Sequence, residues 1–417
     1  MSKIKVGVFG AYRGMSMIKV LATHSDAELV AVCDKYLPAL EEVKKTAAMH
    51  NLHVKLYEDF EDFFKHDMDA VVLANYAHEH APFAVRLLKS GRHVMSEVLP
   101  CETMAQAVEL IEAVEESGKV YAYAENYCYM GNTFEMWRRY ENGEIGEIQY
   151  AEGEYIHDLS AEWPRYTYGE RMHWRNIAYS TFYCTHSLGP ILTITNRRPV
   201  QVVGFETNMN KDRPLLAPMC RSGGIEMVTL DNGAIVKSIH GGLKREPCSI
   251  NYEIYGTKGM METERWDTGN LSVYLENNLC EGDLSHYTPQ AFVAKEQSAR
   301  FNEHGGGDFY ATHFFLEKIL GKPDGIKYSI DVYTAVDMGI CGILAYRSIL
   351  NGNKPIAIPN LRNKSERDAF RNDYACTNPA VGGEQLLPVS PNYDTTKIPD
   401  EEFERIRKLW EAGKNDI

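Results

Sequence analysis

The sequence lacks the cysteine pattern of a disulfide-stabilised or zinc-binding protein. Its nine cysteines are odd in number and widely spaced along 417 residues, and no Cys-x-x-Cys pair occurs. Disulfide frameworks and zinc ribbons both depend on such paired spacing. We therefore expect scattered, buried thiols, which are typical of a protein in the reducing cytoplasm.

The sequence also lacks long apolar runs and an excess of positive charge. No stretch approaches ~18 uninterrupted apolar residues, and residues 1–10 enter a strand pattern without an apolar signal region. We therefore expect neither a membrane-spanning helix nor a secretory signal. The net charge is −14, whereas nucleic-acid-binding domains usually present a basic face, so no nucleic-acid partner is expected.

The first 125 residues alternate short apolar runs with helical periods. The apolar runs are Ile4–Phe9, Leu29–Cys33, Ala70–Ala74, His93–Ser96 and Val120–Ala124. The helical segments between them are Met15–His24, Tyr36–Met49, His80–Lys89 and Met104–Ser117. This alternation predicts an α/β domain over residues 1–125 with a doubly wound parallel sheet, that is, a Rossmann domain.

The pattern changes after Asn126, where alternation with a period of two residues becomes common. Strands are predicted at Glu147–Ile156, Val200–Glu206, Ile225–Leu230, Ala234–His240 and Asn251–Tyr255, and helices at Thr133–Asn142, Phe309–Leu320 and Ser329–Leu350. Turn residues between the strands favour hairpins. Residues 126–360 are therefore predicted to form an α+β domain with a large antiparallel sheet.

Two expectations concern the ends and faces of this second domain. Residues 361–417 are polar and punctuated by prolines, so we predict a tail that packs on the surface and ends in a helix near Glu401–Gly413. An antiparallel sheet with one uncovered face usually packs against a partner, so a homodimer or homotetramer is expected.

A glycine-containing loop joins the first strand to the first helix. The loop reads Gly7-Val-Phe-Gly10-Ala-Tyr12-Arg13-Gly14. Glycine lets the backbone approach a pyrophosphate, which then faces the amides of the helix N-terminus. The usual pattern is GxGxxG, but Tyr12 occupies the second glycine position and the last glycine comes one residue early. A tight strand–helix turn without a ligand is therefore the alternative.

Asp34 follows the second strand about 20 residues after this loop, where an acidic group binds the ribose 2′-hydroxyl of a dinucleotide. A carboxylate at this position repels a 2′-phosphate and therefore favours NAD over NADP. The neighbouring Lys35 works against that preference. The alternative is a surface aspartate at a strand end.

Several motifs in one order resemble the Gfo/Idh/MocA oxidoreductase family over about residues 3–360. Residues 91–100 (GRHVMSEVLP) are similar to its GKHVxxEKP stretch, and residues 251–259 (NYEIYGTKG) to its yeiyGtkG strand and turn. Residues 304–308 (HGGGD) and 330–333 (IDVY) are similar to late segments of the family. The resemblance implies a Rossmann domain followed by a sheet domain that carries a sugar or polyol pocket.

One departure from the family pattern bears on the chemistry. Dehydrogenases of the family typically carry lysine after the glutamate of EKP, and this lysine helps to move the proton of the reacting hydroxyl. Val98 stands there in this chain. Valine cannot titrate, so the resemblance requires acid–base groups elsewhere or an inactive protein.

A narrower resemblance is to the NAD-dependent glycosidase branch, which includes bacterial α-N-acetylgalactosaminidases. Glu97-Val98, residues 125–129 (ENYCY) and residues 183–190 (YCTHSLGP) are similar to its EVP, ENxCY and YPTHGLGP motifs. Cys184, Ser187 and Leu99 depart from the motifs. Such enzymes oxidise a ring hydroxyl, which we expect to be the one at C3, eliminate the C1 substituent, add water and reduce the product again.

Candidate site residues follow from the loop, the resemblance and the residue chemistry. Catalysis is assigned to His186, Tyr183 and Glu125, because imidazole titrates near neutral pH and Tyr183 would share a helix face with it. Cofactor binding is assigned to Gly10, Tyr12, Arg13, Gly14, Asp34, Asn75, His80, Glu97 and Asn126. Substrate binding is assigned to Tyr129, His157, Trp174 and Arg175.

Each assignment has a structural alternative. His186 could be a hydrogen-bonded core histidine, and Glu125 an ion-pair partner between domains. The aromatic stretch from Tyr155 to Arg175 suits sugar stacking but also a dimer contact. His78 and His80 form a weak HxH pattern, and no metal is expected. His304 and Asp308 are interpreted as residues that order a loop and a helix cap, and a role in the pocket is the open alternative.

Three functions are therefore open at the level of sequence. The first is redox-assisted glycoside cleavage with NAD on a small-molecule sugar, and the second is a simple NAD-dependent pyranoside or polyol dehydrogenase. The third is a non-catalytic NAD-binding protein. Loss of the lysine disfavours the second, and the tyrosine–histidine pair favours the first over the third.

Overall fold

The protein folds into two compact units, each assembled from three stretches of the chain. The computed structural model describes residues 3–210, 218–278, 281–301, 303–391 and 398–414. The first unit is Met1–Phe134, Pro289–Val336 and Leu361–Arg371; the second is Glu135–Thr288, Asp337–Asn360 and Asn372–Ile417. Cys280 and residues 392–397 and 415–417 of the tail lie outside the described residues.

A parallel sheet forms the centre of the first unit. Its strands are β1 (Ile4–Phe9), β2 (Ala27–Cys33), β3 (Lys55–Tyr57), β4 (Ala70–Leu73), β5 (His93–Ser96) and β6 (Tyr121–Tyr123). They are ordered β3-β2-β1-β4-β5-β6, and every pairing is parallel. The strand order reverses between β1 and β4, and ligands of such sheets bind beyond the carboxyl ends at that point.

A larger sheet dominates the second unit. Its strands are β7 (Ile148–Ile156), β8 (Pro199–Glu206), β9 (Gly223–Leu230), β10 (Ile235–Gly241), β11 (Ser249–Gly256), β12 (Gly259–Thr263), β13 (Leu271–Asn278), β14 (Glu281–Tyr287) and β15 (Ile356–Ala357). Their order is β14-β13-β12-β11-β7-β10-β9-β8-β15. Only β7 and β10 pair in parallel within the described residues, so the predicted antiparallel sheet is confirmed in all but this pairing.

The α-helices occupy both units. They are α1 (Ala11–Thr23), α2 (Leu37–Met49), α3 (Phe60–Phe64), α4 (His80–Lys89), α5 (Met104–Ser117), α6 (Gly131–Glu141), α7 (Trp163–Thr167), α8 (Trp174–Ile177), α9 (Thr185–Thr195), α10 (Pro218–Arg221), α11 (Lys295–Ser298), α12 (Gly307–Ile319), α13 (Pro323–Tyr328), α14 (Val332–Leu350), α15 (Lys364–Arg367), α16 (Pro379–Gly382) and α17 (Asp400–Glu411). Short 3₁₀ turns lie at Ala77–Glu79, Asn126–Tyr129, Glu303–Gly306 and Gly383–Gln385.

Several elements differ from the sequence-based prediction. α1 begins at Ala11 rather than Met15, because Gly10 makes the turn in a left-handed conformation directly before it. β3 and α3, and the hairpin strands β12–β14, were not predicted. β14 is mostly exposed, so it carries no apolar alternation that a sequence pattern could reveal.

The packing of α12 and the segment after it follows long-range contacts. Residues Pro289–Val336 and Leu361–Arg371 pack in the first unit, although the sequence divided the chain at 125 and 360. Tyr123 on β6 donates its amide to the carbonyl of Ile330, and the buried Arg367 binds Glu115 of α5 through both guanidinium nitrogens. Such contacts leave no local periodicity. The domain boundaries at residues 125 and 360 therefore stay predictions from the sequence.

The stretch Pro323–Leu350 is long and apolar enough to cross a membrane by composition alone. In the protein, 83% of its most apolar window is buried. Core helices of folded domains commonly show the same composition.

Candidate active site

The turn between β1 and α1 is shaped for close approach of a ligand. Gly10 has φ +97°, and a Cβ atom on it would lie 2.3 Å from the carbonyl carbon and oxygen of Ala74. A Cβ on Gly14 would lie 2.8 Å from Val8 Cγ1. Only glycine therefore fits the crossing of the loop over β4. The cradle suits a pyrophosphate at the N-terminus of the 13-residue α1.

Asp34 lies at the carboxyl end of β2 and faces the same turn. Its Oδ2 accepts hydrogen bonds from the amides of Ala11 at 2.6 Å and Tyr12 at 3.3 Å, and Oδ1 accepts from Tyr36 at 2.8 Å. These contacts fix a carboxylate beside the start of α1. The arrangement fits the ribose-binding role that the sequence predicts for Asp34.

Two predicted residues lie at the carboxyl end of β4. The buried His80 has its ring nitrogens 3.1 Å from the Leu99 carbonyl and 3.2 Å from the Asn75 carbonyl. Burial lowers the pKa of His80 to about 4, so its imidazole is uncharged at neutral pH. A neutral imidazole carries one N–H, so His80 donates to one of these two carbonyls while its ring lies between the loops that follow β4 and β5. Asn75 Nδ2 donates to Glu79, and its buried Oδ1 has no hydrogen-bond partner among the described residues.

A charged network joins the starts of α1 and α12 to the loop after β5. Arg13 forms ion pairs with Glu97 and, at 2.8 Å, with Asp308. Asn126 Nδ2 donates to Asp308 at 3.0 Å, and the His304 ring lies 2.8 Å from the other carboxylate oxygen. Three predicted cofactor residues, Arg13, Glu97 and Asn126, are thus brought together.

The network shifts the pKa values of its members in opposite directions. Burial raises the pKa of Glu97 to about 7, with further contributions from the charges of Asp308 and Glu125 against the opposing effect of Arg13. Burial also acts to raise the pKa of Asp308, but Arg13 and His304 hold it below its usual range. The hydrogen bond to Asp308 raises the pKa of His304.

His304 and Asp308 were not among the predicted site residues. The sequence favoured a loop and helix-capping role for them and left a role in the pocket open, and residues 304–308 belong to one of the motifs of the resemblance. Asp308 does lie in the first turn of α12, where a carboxylate interacts well with the helix dipole. In addition, it is the residue on which Arg13, Asn126 and His304 converge.

The residues after β6 are buried in the first unit. Glu125 is fully buried directly before the 3₁₀ turn Asn126–Tyr129. Tyr129 is 1% exposed, packs against Phe134 and Phe314, and donates its hydroxyl to the carbonyl of Tyr328 at 2.7 Å. This aromatic core position does not support the predicted substrate contact of Tyr129.

The predicted tyrosine–histidine pair lies in the second unit, at the start of α9. The ring centroids of Tyr183 and His186 are 4.6 Å apart at an interplanar angle of 87°. The structure places Tyr183 in the turn before α9 rather than on the helix. Tyr155 on β7 contacts both, with ring centroids 4.7 Å from His186 and 6.1 Å from Tyr183.

α9 is fixed against the large sheet at very short range. A Cβ on Gly153 of β7 would lie 1.8 Å from the Ser187 carbonyl oxygen, so the helix backbone rests directly on the strand. The hydroxyls of Ser187 and Ser238 are 2.8 Å apart, and Tyr252 donates its hydroxyl to the carbonyl of His186. The sheet therefore holds His186 through its backbone and leaves the imidazole to face Tyr183 and Tyr155.

An aromatic and cationic cluster surrounds Tyr183. The Arg175 guanidinium lies 4.2 Å from the Trp174 ring and 5.5 Å from the Tyr183 ring. Its buried Nη1 has no hydrogen-bond partner among the described residues. His157 lies beside Tyr155, with its Nδ1 3.1 Å from the tyrosine hydroxyl. Burial and then the charge of Arg175 lower the pKa of His157.

The second unit therefore gathers predicted catalytic and substrate residues from the stretch 157–186 of the chain. One connected cluster contains Tyr183, His186, His157, Trp174 and Arg175. Tyr155 was noted in the sequence only as part of the aromatic stretch, yet it contacts both Tyr183 and His186. Tyr155 lies two positions after Gly153 on β7, so the two residues share one face of the strand. This spacing is the signal that could have identified Tyr155.

Comparisons with known sequences find two family models that match consecutive parts of the chain. Residues 4–125 match the oxidoreductase family with an NAD-binding Rossmann fold, and residues 129–366 match the C-terminal domain of glycosyl hydrolase 109. The chain is 25% identical to "Glycosyl hydrolase family 109 protein 1" of Phocaeicola vulgatus, over 89% of this chain and 87% of that protein. It is also 25% identical to "Glycosyl hydrolase family 109 protein" of Saccharopolyspora erythraea, over 86% of this chain and 83% of that protein.

Solved structures share the fold at lower identity. Levoglucosan dehydrogenase in complex with NADH and L-sorbose aligns with a TM-score of 0.70 and 16% identity, over 86% of this chain and all of that one. Myo-inositol 2-dehydrogenase from Lactobacillus plantarum aligns with a TM-score of 0.65 and 19% identity, over the same shares. The match to the glycosyl hydrolase 109 domain covers more than half of this chain and follows an NAD-binding Rossmann domain, so the chain belongs to glycosyl hydrolase family 109.

Proposed function

We propose that the protein cleaves a glycoside by a redox-assisted reaction that uses NAD without consuming it. The observation that carries the proposal is the Tyr183–His186 pair beside Arg175 and Trp174, within a family 109 domain that accompanies an NAD-binding domain. The named relatives support the reaction class. The substrate is a small-molecule sugar whose identity the proposal leaves to experiment.

The first unit supplies the groups that hold the dinucleotide. The glycine turn at Gly10 suits the close approach of a pyrophosphate, and Asp34, which accepts from the amides of Ala11 and Tyr12, suits the adenosine ribose. The buried amide oxygens of Asn75 and Asn126 have no hydrogen-bond partners among the described residues, so they can accept from the cofactor's amide or hydroxyl groups. A dinucleotide held there would supply the acceptor for a hydride from the carbon of a ring hydroxyl, and its reduced form would return that hydride.

The acid–base work falls to side chains of the second unit. Val98 is 5% exposed and cannot carry a proton, so the lysine role of related dehydrogenases needs another group. We assign to Tyr183 and His186 the proton of the reacting hydroxyl and that of the adjacent C–H bond, because imidazole and a phenol beside a cation can both act as bases. Glu125 remains a proposed catalytic residue of the first unit.

Arg175 and Trp174 are proposed to bind the sugar. A pyranose ring presents C–H groups that pack on an indole, and its hydroxyls accept from a guanidinium. The buried Arg175 Nη1, which has no partner among the described residues, is a donor of this kind. His157 adds a neutral acceptor or donor beside Tyr155.

A two-channel assay tests the proposal. The purified protein is incubated with aryl glycosides of both anomers, with and without added NAD⁺, while aglycone release and NADH absorbance are followed together. We expect aglycone release without net NADH. His186→Ala should reduce this release by at least about 100-fold, whereas His286→Ala, a half-exposed histidine on β14, should leave it unchanged.

The other functions give different results in the same assay. NADH that accumulates in step with sugar, without free aglycone, would establish a dehydrogenase and overturn the proposal. If neither aglycone release nor NADH is detected although NAD binds tightly, the result would instead establish a non-catalytic NAD-binding protein.

We also propose a cytoplasmic location. Eight cysteines of the described residues are free thiols, and seven of them are buried, which suits a reducing compartment. Cell fractionation with antibody detection tests this location, and recovery of the protein outside the cytoplasmic fraction would refute it.

A further inference from the structure

The C-terminal helix α17 packs directly on the segment Trp163–Arg175 of the second unit. Gly169 has φ +68°, and a Cβ on it would lie 2.7 Å from the amide nitrogen of Arg407 and the carbonyl oxygen of Phe403. Arg407 Nη2 donates to the Gly169 carbonyl at 3.3 Å. The helix and the segment therefore meet backbone to backbone, at a distance that only glycine allows.

Side chains extend this contact along the helix. Ile406 is 1% exposed and belongs to one apolar cluster with Leu159, Trp163 and Cys220. Arg171 pairs with Asp400 and lies 4.4 Å from the Phe403 ring.

The last turn of the helix reaches further. The Trp410 and Tyr168 ring centroids are 5.3 Å apart at 63°. Three successive turns of α17 thus hold one short segment.

The same segment contacts Tyr183 at its other end. Tyr168 packs edge-on against His173 at 6.0 Å, and His173 Nδ1 accepts from the Arg175 amide at 3.3 Å. The Arg175 guanidinium lies 5.3 Å from the Tyr166 ring and 5.5 Å from the Tyr183 ring. A continuous chain of contacts therefore runs from α17 to the turn that carries Tyr183.

The segment has little structure of its own to maintain these positions. α7 has five residues and α8 has four, and helices this short are not stable without tertiary contacts. Trp163 Nε1 donates to Asn176 Oδ1, and Asn176 donates to the Glu170 carbonyl, which closes the segment on itself. The surface of α17 supplies further support, beside the contact of Trp174 with Phe182 and the hydrogen bond from Thr377 to the Ile177 carbonyl.

We infer that α17 is a positioning element for the sugar-binding and acid–base cluster, acting through Tyr168 and Tyr166 on Arg175, Trp174 and Tyr183. The inference rests on the proposed function in that Tyr183 takes part in catalysis. It assigns a role to the C-terminal region, which reaches Tyr183 through the side chains of the intervening segment. Trp410 is a positioning residue in this scheme.

Three full-length variants test the inference. Trp410→Ala removes the ring that packs on Tyr168, Trp410→Phe restores an aromatic ring, and Glu404→Ala changes an exposed position of the same helix. Hydrogen–deuterium exchange of residues 163–177 is measured together with kcat, KM and the Kd for NAD⁺. Exchange reports the order of the segment without any need for catalysis.

We expect Trp410→Ala to increase exchange in residues 163–177 and to lower kcat by about tenfold or more, because small misplacements of reacting groups are costly. Trp410→Phe should recover most of both signals. Glu404→Ala and the Kd for NAD⁺ should stay at wild-type values. Exchange across β7–β10 should not change, which separates local loosening from unfolding.

Two outcomes would overturn the inference. Unchanged exchange in Trp410→Ala would show that the helix does not hold the segment, and raised exchange with unchanged kcat and KM would show that the segment does not position the site. If the wild-type protein cleaves no glycoside, the proposed function fails. The exchange measurement then still decides whether α17 orders the segment.

Discussion

Two glycines of the first unit share a left-handed backbone but have different surroundings. Gly10 has φ +97° and faces the backbone of Ala74, whereas Gly118 has φ +61° and no atom within 4 Å of the place that a Cβ would take. An L-residue in this conformation costs about 1–2 kcal/mol. At Gly10 the collision with Ala74 and Asn75 adds to that cost, because backbone atoms cannot move aside like a side chain.

Gly10→Ala is therefore expected to weaken NAD binding at least tenfold, since the cradle for the pyrophosphate must open. Gly118→Ala is the matched control, because it carries the conformational cost alone and should leave NAD affinity unchanged. Titration calorimetry with NAD⁺ and thermal melts measure both effects. Equal NAD affinities for the two variants would contradict the role of Gly10.

Residues of the site differed in how far sequence could predict them. Gly10 and Asp34 follow from local spacing, because the strand, turn and acidic residue are close in the chain. Asp308 lies 295 positions from Arg13, so no local pattern joins them. Tyr129 was placed near substrate by its motif, but the structure shows its hydroxyl bound to a backbone carbonyl.

At the scale of elements, the starts of α1 and α12 and the loop after β5 meet in the charged network. Glu97 has a pKa raised to about 7 from the usual 4.5, with burial as the largest cause. Between these values the folded protein holds one proton more than the unfolded chain. The contribution of Glu97 to the free energy of unfolding therefore falls as pH rises from about 4.5 to about 7.

Above its ordinary pKa, His304 also contributes a stabilisation that falls as pH rises. Its pKa is raised by Asp308, so its stabilisation is present at low pH and is lost as pH rises through the folded value. Asp308 contributes a stabilisation that is lost as pH falls. Because its pKa is lowered, this loss occurs below the usual carboxylate range. Within this network, Glu97 and His304 are therefore the groups whose stabilising contributions fall as pH rises above the usual carboxylate range.

Between about pH 4.5 and 7, Glu97→Gln should shift the slope of thermal stability against pH in the positive direction relative to the wild type, because the amide cannot ionise in the buried site. Melting temperatures of the wild type and the variant across this range measure the effect. Glu109→Gln, on the exposed face of α5, is the control and should keep the wild-type slope. A variant with an unchanged slope would show that Glu97 does not titrate in this window.

The predictability of the elements followed their apolar patterns. β1, β2, β4 and β5 are buried runs and were predicted within a few residues, as were the long amphipathic helices. β3 has three residues and β14 is mostly exposed, so neither presents a period. The parallel pairing of β7 with β10 depends on how the chain connects these two strands, and the alternation of residues within a strand cannot specify that connection.

At the scale of the whole molecule, the two faces of the large sheet differ in what packs on them. α9 packs on the face that carries Gly153 and Ser238. On the opposite face, Phe205, Ile225 and Ile239 lie in register on β8, β9 and β10. Phe205 is 41% exposed, and apolar side chains in register on an open face are typical of an interface.

We therefore predict a homo-oligomer, a dimer or a tetramer, in which this face packs against a second copy of the chain. Light scattering coupled to size-exclusion chromatography should give a mass at least twice that of one chain. Ile239→Lys should shift the protein toward the monomer, because it places a charge beside Ile225 in the apolar patch.

Leu284→Lys is the control for this substitution. Leu284 is 71% exposed on the edge strand β14, away from the patch, so its replacement should leave the mass unchanged. The far-ultraviolet spectrum of Ile239→Lys should match that of the wild type, since the side chain lies outside the core. A monomeric wild-type protein, or an Ile239→Lys variant of unchanged mass, would exclude this face as the interface and leave its apolar patch open to another partner.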